Sequence, residues 1–162
     1  MFTGKLRTSL LSARDLNKAF VLSDVNALLR SRHSAAKDKT PAGIDHDMKH
    51  RGMKYVVAWT DADRVAGLCI LVVQDVGTYV LAAAHSLAAN KGFDRTVVMK
   101  SVLDEAQKHV DHADYFDVQV APTETHIINA IMATGLKPRQ RLIFRRTLKK
   151  QVSRRKAKKK SN

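Results

Sequence analysis

The chain predicts a mixed α/β fold: a central, mostly antiparallel sheet with one parallel pair, flanked by helices. Three observations carry this. Apolar runs between Lys54 and Ala84 are joined by the short turns Asp61-Ala62-Asp63 and Asp75-Val76-Gly77, the pattern of an antiparallel meander. A long amphipathic stretch, Phe93 to Val110, separates the run ending at Ala84 from a further run, Tyr115 to Ala121. A helix of that length between two strands makes them parallel neighbours. Helical patterns before the meander and after Tyr115 to Ala121 supply the flanking layers.

Taken in order, Lys5 to Leu11 is a first strand. Ser12 or Asp15 can cap a helix, because either side chain accepts from free backbone N–H groups. Leu16, Ala19 and Phe20, then Val25, Leu28 and Leu29, recur at helical spacing, giving two short helices or one kinked helix up to about Arg32. Ser34 to Asp45 has no period and contains Pro41 and Gly43, so it reads as a loop. His46 and His50 are four apart and would share a helical face, but two histidines without a third ligand do not make a metal site, and none is expected.

Lys54 to Thr60 alternates, with Tyr55, Val57 and Trp59 on one face. Arg64 to Gln74 is apolar on both, Val65, Cys69, Leu71 and Val73 against Ala66, Leu68, Ile70 and Val72, which marks a central strand buried on both sides. Thr78 to Ala84 is the next strand. In the long helix, Val98, Val102, Ala106 and Val110 form one stripe with Met99 and Leu103 beside it. Thr123 can cap a helix from Glu124 to Thr134, which Gly135 ends. Arg139 to Leu148 alternates as a final strand.

Composition sets bounds. At 162 residues the chain is one domain with a real core, and its one cysteine, Cys69, sits inside an apolar run and rules out an intrachain disulfide framework. No apolar run is long enough to cross a bilayer and Met1 to Leu11 lacks a signal core, so a cytoplasmic protein without membrane contact is expected. The charge is segregated. Residues 1–136 hold sixteen basic and fifteen acidic side chains, whereas residues 137–162 hold thirteen basic and none acidic, so the end of the chain carries +13 of the +14. The expected organisation is a folded domain over 1–148 and a basic tail over 149–162.

The stretch from Ala82 to Thr96 organises the rest. A run of small residues leads into a loop with Asn90 and Gly92, and a helix opens behind it. Free N–H groups at a helix N-terminus, with the helix dipole behind them, attract anions. Gly92 would let the backbone approach a ligand or take a positive φ.

With that order of elements, the chain resembles the GNAT family of acetyl-CoA-dependent N-acetyltransferases over roughly residues 54 to 148. Ala83-Ala84-His85-Ser86 looks like the end of the family's fourth strand, and Asn90-Lys91-Gly92-Phe93-Asp94 lies where its pyrophosphate loop would be. Ala133-Thr134-Gly135-Leu136 looks like the close of its late helix. The resemblance implies acetyl transfer from acetyl-CoA to an amine. It places the cofactor along Ala83, Ala84, Ala89, Asn90, Lys91, Gly92, Phe93, Asp94 and Arg95, with His85 and His126 as candidate proton carriers.

Three residues depart from the family pattern. Ala89 stands where a Gln or Arg is expected, Asp94 where a small Gly or Ala is, and Ile131 where many members carry a tyrosine that protonates the thiolate. These departures leave a second reading open: a catalytically inactive GNAT-fold protein, structural or associated with nucleic acid. Small GNAT-like proteins of tailed phages are similar in length and in their weakened loop, which implies a virion or host-cytoplasm setting and a protein partner in an assembly. The tail supports a nucleic-acid or other polyanion partner, because Lys149, Lys150, Arg154, Arg155, Lys156, Lys158, Lys159 and Lys160 suit phosphates and no aromatic residue is present for base stacking.

Overall fold

The computed structural model describes residues 5–121 and 123–136. A five-stranded sheet runs β1 (Arg7–Leu10), β2 (Lys54–Trp59), β3 (Val65–Asp75), β4 (Val80–Ala89) and β5 (Tyr115–Val118), in that spatial order. The first four strands pair antiparallel, and β4 pairs parallel with β5. The expected meander and parallel pair are both present. The final strand expected over 139–148 and the tail lie outside the described residues.

Helices cover both faces. On one lie α1 (Ala13–Leu16), α2 (Ala19–Arg32) and α3 (Pro41–His50), packed through Leu16, Val21, Val25, Leu28 and Ile44 on Tyr55, Val57, Leu68 and Ile70. On the other lie α4 (Arg95–Gln107) and α5 (Thr125–Ala133), packed through Val98, Val102, Leu103, Ile127 and Ala130 on Val56, Cys69, Leu71 and Ala84. The stripe expected on the long helix is the stripe that is buried.

Capping chemistry sets several boundaries. Ser12 Oγ accepts from Asp15 N while the Asp15 carboxylate accepts from Ser12 N, a capping box that starts α1. The stretch expected as a loop up to Asp45 becomes helical at Pro41, because Thr40 accepts from Gly43 N and Pro41 stands at the first helical position, where no N–H is needed. The long helix is shorter than expected at both ends, since Asp94 caps it and Lys108 closes it. Glu124 rather than Thr123 occupies the cap position of α5, without a side-chain cap bond, and Gly135 follows the helix with φ +80°. The strand expected over 115–121 ends at Val118.

Two bulges alter the expected faces. Between Ala58↔Gly67 and Trp59↔Val65, β3 contributes one extra residue, which turns Val65 to the α2 face with Leu68 and Ile70, and Ala66 to the α4 face with Cys69 and Leu71. Simple alternation put Val65 and Ala66 on the wrong sides. Gly67 lies at this bulge because the helix comes down on it: a Cβ there would stand 2.3 Å from Val98 Cγ1 and 3.1 Å from the Ala88 carbonyl oxygen. The second bulge is in β4, where pairing jumps from Ile70↔His85 to Leu68↔Ala88 and Ser86 takes φ +54°.

Candidate active site

The strand expected to stop at Ala84 continues to Ala89, and the site grows from that extension. Pairing of β4 with β5 ends at Ala84↔Val118, followed by a single bond from Gln119 N to the Ala84 oxygen at 3.4 Å. Beyond it β4 has no strand partner on that side among the described residues and is bent by the bulge at Ser86, so there the sheet opens at the C-terminal ends of its two parallel strands. In open α/β sheets, ligands bind at such an opening.

Ala82 and Ala84 face α4, so Ala83 and His85 face α2. His85 is half-buried and its Nδ1 lies 3.0 Å from Ser86 Oγ. Burial lowers its pKa below the ordinary histidine value, and His33, at the C-cap of α2, lowers it further. At neutral pH His85 is therefore uncharged and able to accept a proton.

After Ala89 the loop closes on itself. Asn90 N donates to the Ala66 oxygen at 2.8 Å, and Asn90 Oδ1 accepts from Gly92 N at 2.9 Å. Asp94 Oδ1 accepts from Thr96 N at 3.0 Å and from Val97 N at 3.2 Å. Three N–H groups expected to face an anion thus already have side-chain acceptors. Asp94 lies just ahead of the helix rather than in its first turn. Gly92 does not take the positive φ that was expected as one option, and a Cβ there would meet only Asn90 Oδ1 at 3.5 Å.

A cleft of about 340 Å³ lies between the C-terminal half of α2, the end of β4 and the starts of α4 and α5. Among the sequence-predicted residues it is lined by Ala89, Asn90, Lys91, Arg95 and His126. Ala83, Ala84, His85, Gly92, Phe93 and Asp94 adjoin this region in the chain but do not line the cleft. Ile131 is a partly buried core residue packed beneath α4 and the sheet. The eight basic tail residues lie outside the described residues.

The remaining lining includes Asp24, Leu28, Ser31, Arg32 and Glu124. Arg32 of α2 forms an ion pair with Glu124 ahead of α5, with the two side chains 22% and 15% exposed. The Nε of Arg32 is buried without a partner among the described residues. Burial lowers the Arg32 pKa from its usual value. His126 is also lowered, first by burial and then by the positive charges of Arg95 and Arg32. Arg32 and Glu124 carried no local signal in the sequence: one ends a helix pattern and the other begins one, and only the fold brings them together.

The sequence matches no protein-family model and no curated protein. Solved structures match closely in shape. An acetyltransferase from Trypanosoma brucei is 13% identical, with a TM-score of 0.67 over 88% of this chain and 100% of that one. An aminoglycoside acetyltransferase from an uncultured soil metagenomic sample, in complex with sisomicin, is 17% identical, with a TM-score of 0.69 over 89% and 97%. The aminoglycoside 6′-N-acetyltransferase of Acinetobacter baumannii is 13% identical, with a TM-score of 0.66 over 88% and 98%. The chain therefore has the fold of the GNAT acetyltransferases.

Proposed function

We propose that the protein transfers an acetyl group from acetyl-CoA to an amine, using the opening between β4 and β5. One observation carries this reading: the sheet parts after Ala84 beside a cleft whose rim holds Lys91 and Arg95, two cations without an ion pair among the described residues. That charge and that opening fit a long phosphorylated thioester. The fit has one internal competitor, because the Asp94 carboxylate already takes the Thr96 and Val97 N–H groups. At about 4 Å and an effective dielectric near 20, a carboxylate and a phosphate repel by up to about 4 kcal/mol before screening.

Acetyl-CoA supplies an activated acyl carbon. Lys91 and Arg95 hold its phosphates, and neutral His126 beside Arg95 adds a hydrogen-bond donor there rather than a proton for the chemistry. His85 is the base. It accepts the proton released as the amine nitrogen bonds to the acyl carbon. The C–S bond breaks in exchange, and the sulfur leaves as a thiolate that takes its proton from water.

The test is calorimetry with acetyl-CoA at low salt on the wild-type chain and Asp94→Gly. Glycine at a helix cap costs only a few tenths of a kcal/mol relative to aspartate, so the variant stays folded. The expected result is binding by both, tighter in the variant by about threefold or more as the repulsion is removed. Absence of binding by either protein ends this reading.

A further inference from the structure

The acceptor can be narrowed by the placement of every acidic side chain. The sequence has fifteen, from Asp15 to Glu124, and all fall among the described residues. No residue outside the described set can add a carboxylate side chain to the cleft, since those residues contain no Asp or Glu, and the segment from 137 onward is strongly basic.

Only two acids line the cleft, and both are consumed. Asp24 accepts from Arg64 Nε at 2.7 Å, pairs with the same guanidinium through Nη2, and also takes Val65 N at 3.1 Å. Glu124 pairs with Arg32 and accepts from Ala121 N at 3.3 Å. On the neighbouring strand, Asp117 has a partner of its own. Against these stand Lys91 and Arg95, without an ion pair among the described residues, and the Arg32 guanidinium, which lines the cleft. Asp94 stands outside the cleft lining, at the loop, on the Thr96 and Val97 N–H groups. A second ammonium on an acceptor would find no free carboxylate lining the cleft, whereas an anion would find cations.

We infer that the acceptor is an amine carrying an anionic group, a carboxylate or a phosphate, close to its amino group, and that Arg32 reads that group. This rests on the acetyl-transfer reading, and it excludes polyamines and aminoglycosides as preferred acceptors. Lys91 and Arg95 stand at the loop, where the cofactor's phosphates are placed, which leaves Arg32 for the acceptor. A guanidinium offers several fixed N–H donors, so Arg32 can keep Glu124 on one nitrogen while the exposed part of the group, which lines the cleft, turns another toward a second anion.

Two measurements on the full chain separate this inference from the reading beneath it. The first needs no turnover: calorimetry with an N-acetyl amino acid, its amide and N-acetylated ethanolamine phosphate, each added alone. The carboxylate and phosphate ligands should bind, and the amide should bind at least about tenfold more weakly. Glu124→Gln, which frees the Arg32 guanidinium, should tighten the anionic ligands, and Arg32→Gln should abolish the preference. Equal binding of amide and carboxylate, or a preference unchanged in Arg32→Gln, overturns the inference.

The second measurement is thiol release from acetyl-CoA with an amino acid, its amide, ethanolamine phosphate and spermidine as acceptors. The two anionic acceptors should have the higher kcat/KM, and spermidine at least equal to them overturns the inference while leaving acetyl transfer intact. Anion binding without any acetyl-CoA binding has the opposite meaning: Arg32 reads anions and the acetyl-transfer reading fails.

Discussion

His85 illustrates how position on a strand becomes chemistry. Two residues earlier, Ala83 still belongs to the paired part of β4; at His85 the strand has lost β5 and not yet reached the bulge. A histidine there is half-buried, and burial disfavours its charged form. With His85 as the base, kcat/KM should therefore rise with pH through an apparent pKa below 6.5 and then level, as the neutral base becomes fully populated. His85→Gln should remove that limb and lower kcat by about 10²-fold or more, measured by initial rates between pH 5 and 8. A limb that survives in the variant would assign the base elsewhere.

The same shift governs stability. A histidine whose folded pKa is depressed binds fewer protons than its unfolded counterpart over the interval between the two values. Its contribution is present above about 6.5, the unfolded value, and is lost as pH falls through the depressed folded value. His85 and His126 act in the same direction. Melting temperatures of wild type and His85→Gln/His126→Gln between pH 7.5 and 5 should show a smaller loss on acidification in the double variant.

Among the elements, the contact between β3 and α4 is the most exacting. Gly67→Ala forces a Cβ against Val98 and the Ala88 carbonyl and should destabilise by about 1–3 kcal/mol. Val98→Ala in the same chain relieves the closer of these contacts, so a double-mutant cycle should show favourable coupling. Val102 is fully buried, and Val102→Asp places an unpaired charge in the core, a change of several kcal/mol that should abolish the cooperative melt.

Hydrophobic period and connection length revealed the meander, the parallel pair and the buried stripe of α4, because each depends on residues near one another in the chain. The bulges at Ala66-Gly67 and Ser86 depend on what packs across the sheet, so alternation misassigned Val65 and ended β4 too early. Loop chemistry was half legible: Asn90 and Gly92 announced a turn, but the cap position of Asp94 and the capture of the N–H groups of Gly92, Thr96 and Val97 appear only in three dimensions.

At the scale of the whole molecule, charge and fold separate. The described domain is nearly balanced, and the basic excess lies after residue 136. We propose that residues 149–160 bind nucleic acid or another polyanion without sequence preference. If all eight charges meet duplex phosphates, log K should fall with log salt at a slope of about −7, from −0.9 per contact. Truncation after Leu148 should remove most of that affinity while leaving the melting transition in place. Equal affinity in the truncated chain would move the binding element into the folded domain. The candidate site was legible here only on its loop side. Lys91, Arg95 and His126 stood in the sequence as candidates, but the opposing wall of Asp24, Ser31 and Arg32 comes from a helix some sixty residues earlier in the chain, which no local pattern joins to the loop.

The central claim, that acetyl-CoA occupies the opening between β4 and β5, is tested most directly by amide NMR shifts of the full chain titrated with acetyl-CoA. A basic tail attracts any phosphorylated ligand, so location decides where heat alone cannot. Saturable shifts are expected at residues 85–96 and 124–126, with α3 and β1 unmoved. Shifts confined to residues 149–160, or none at millimolar acetyl-CoA, would contradict it.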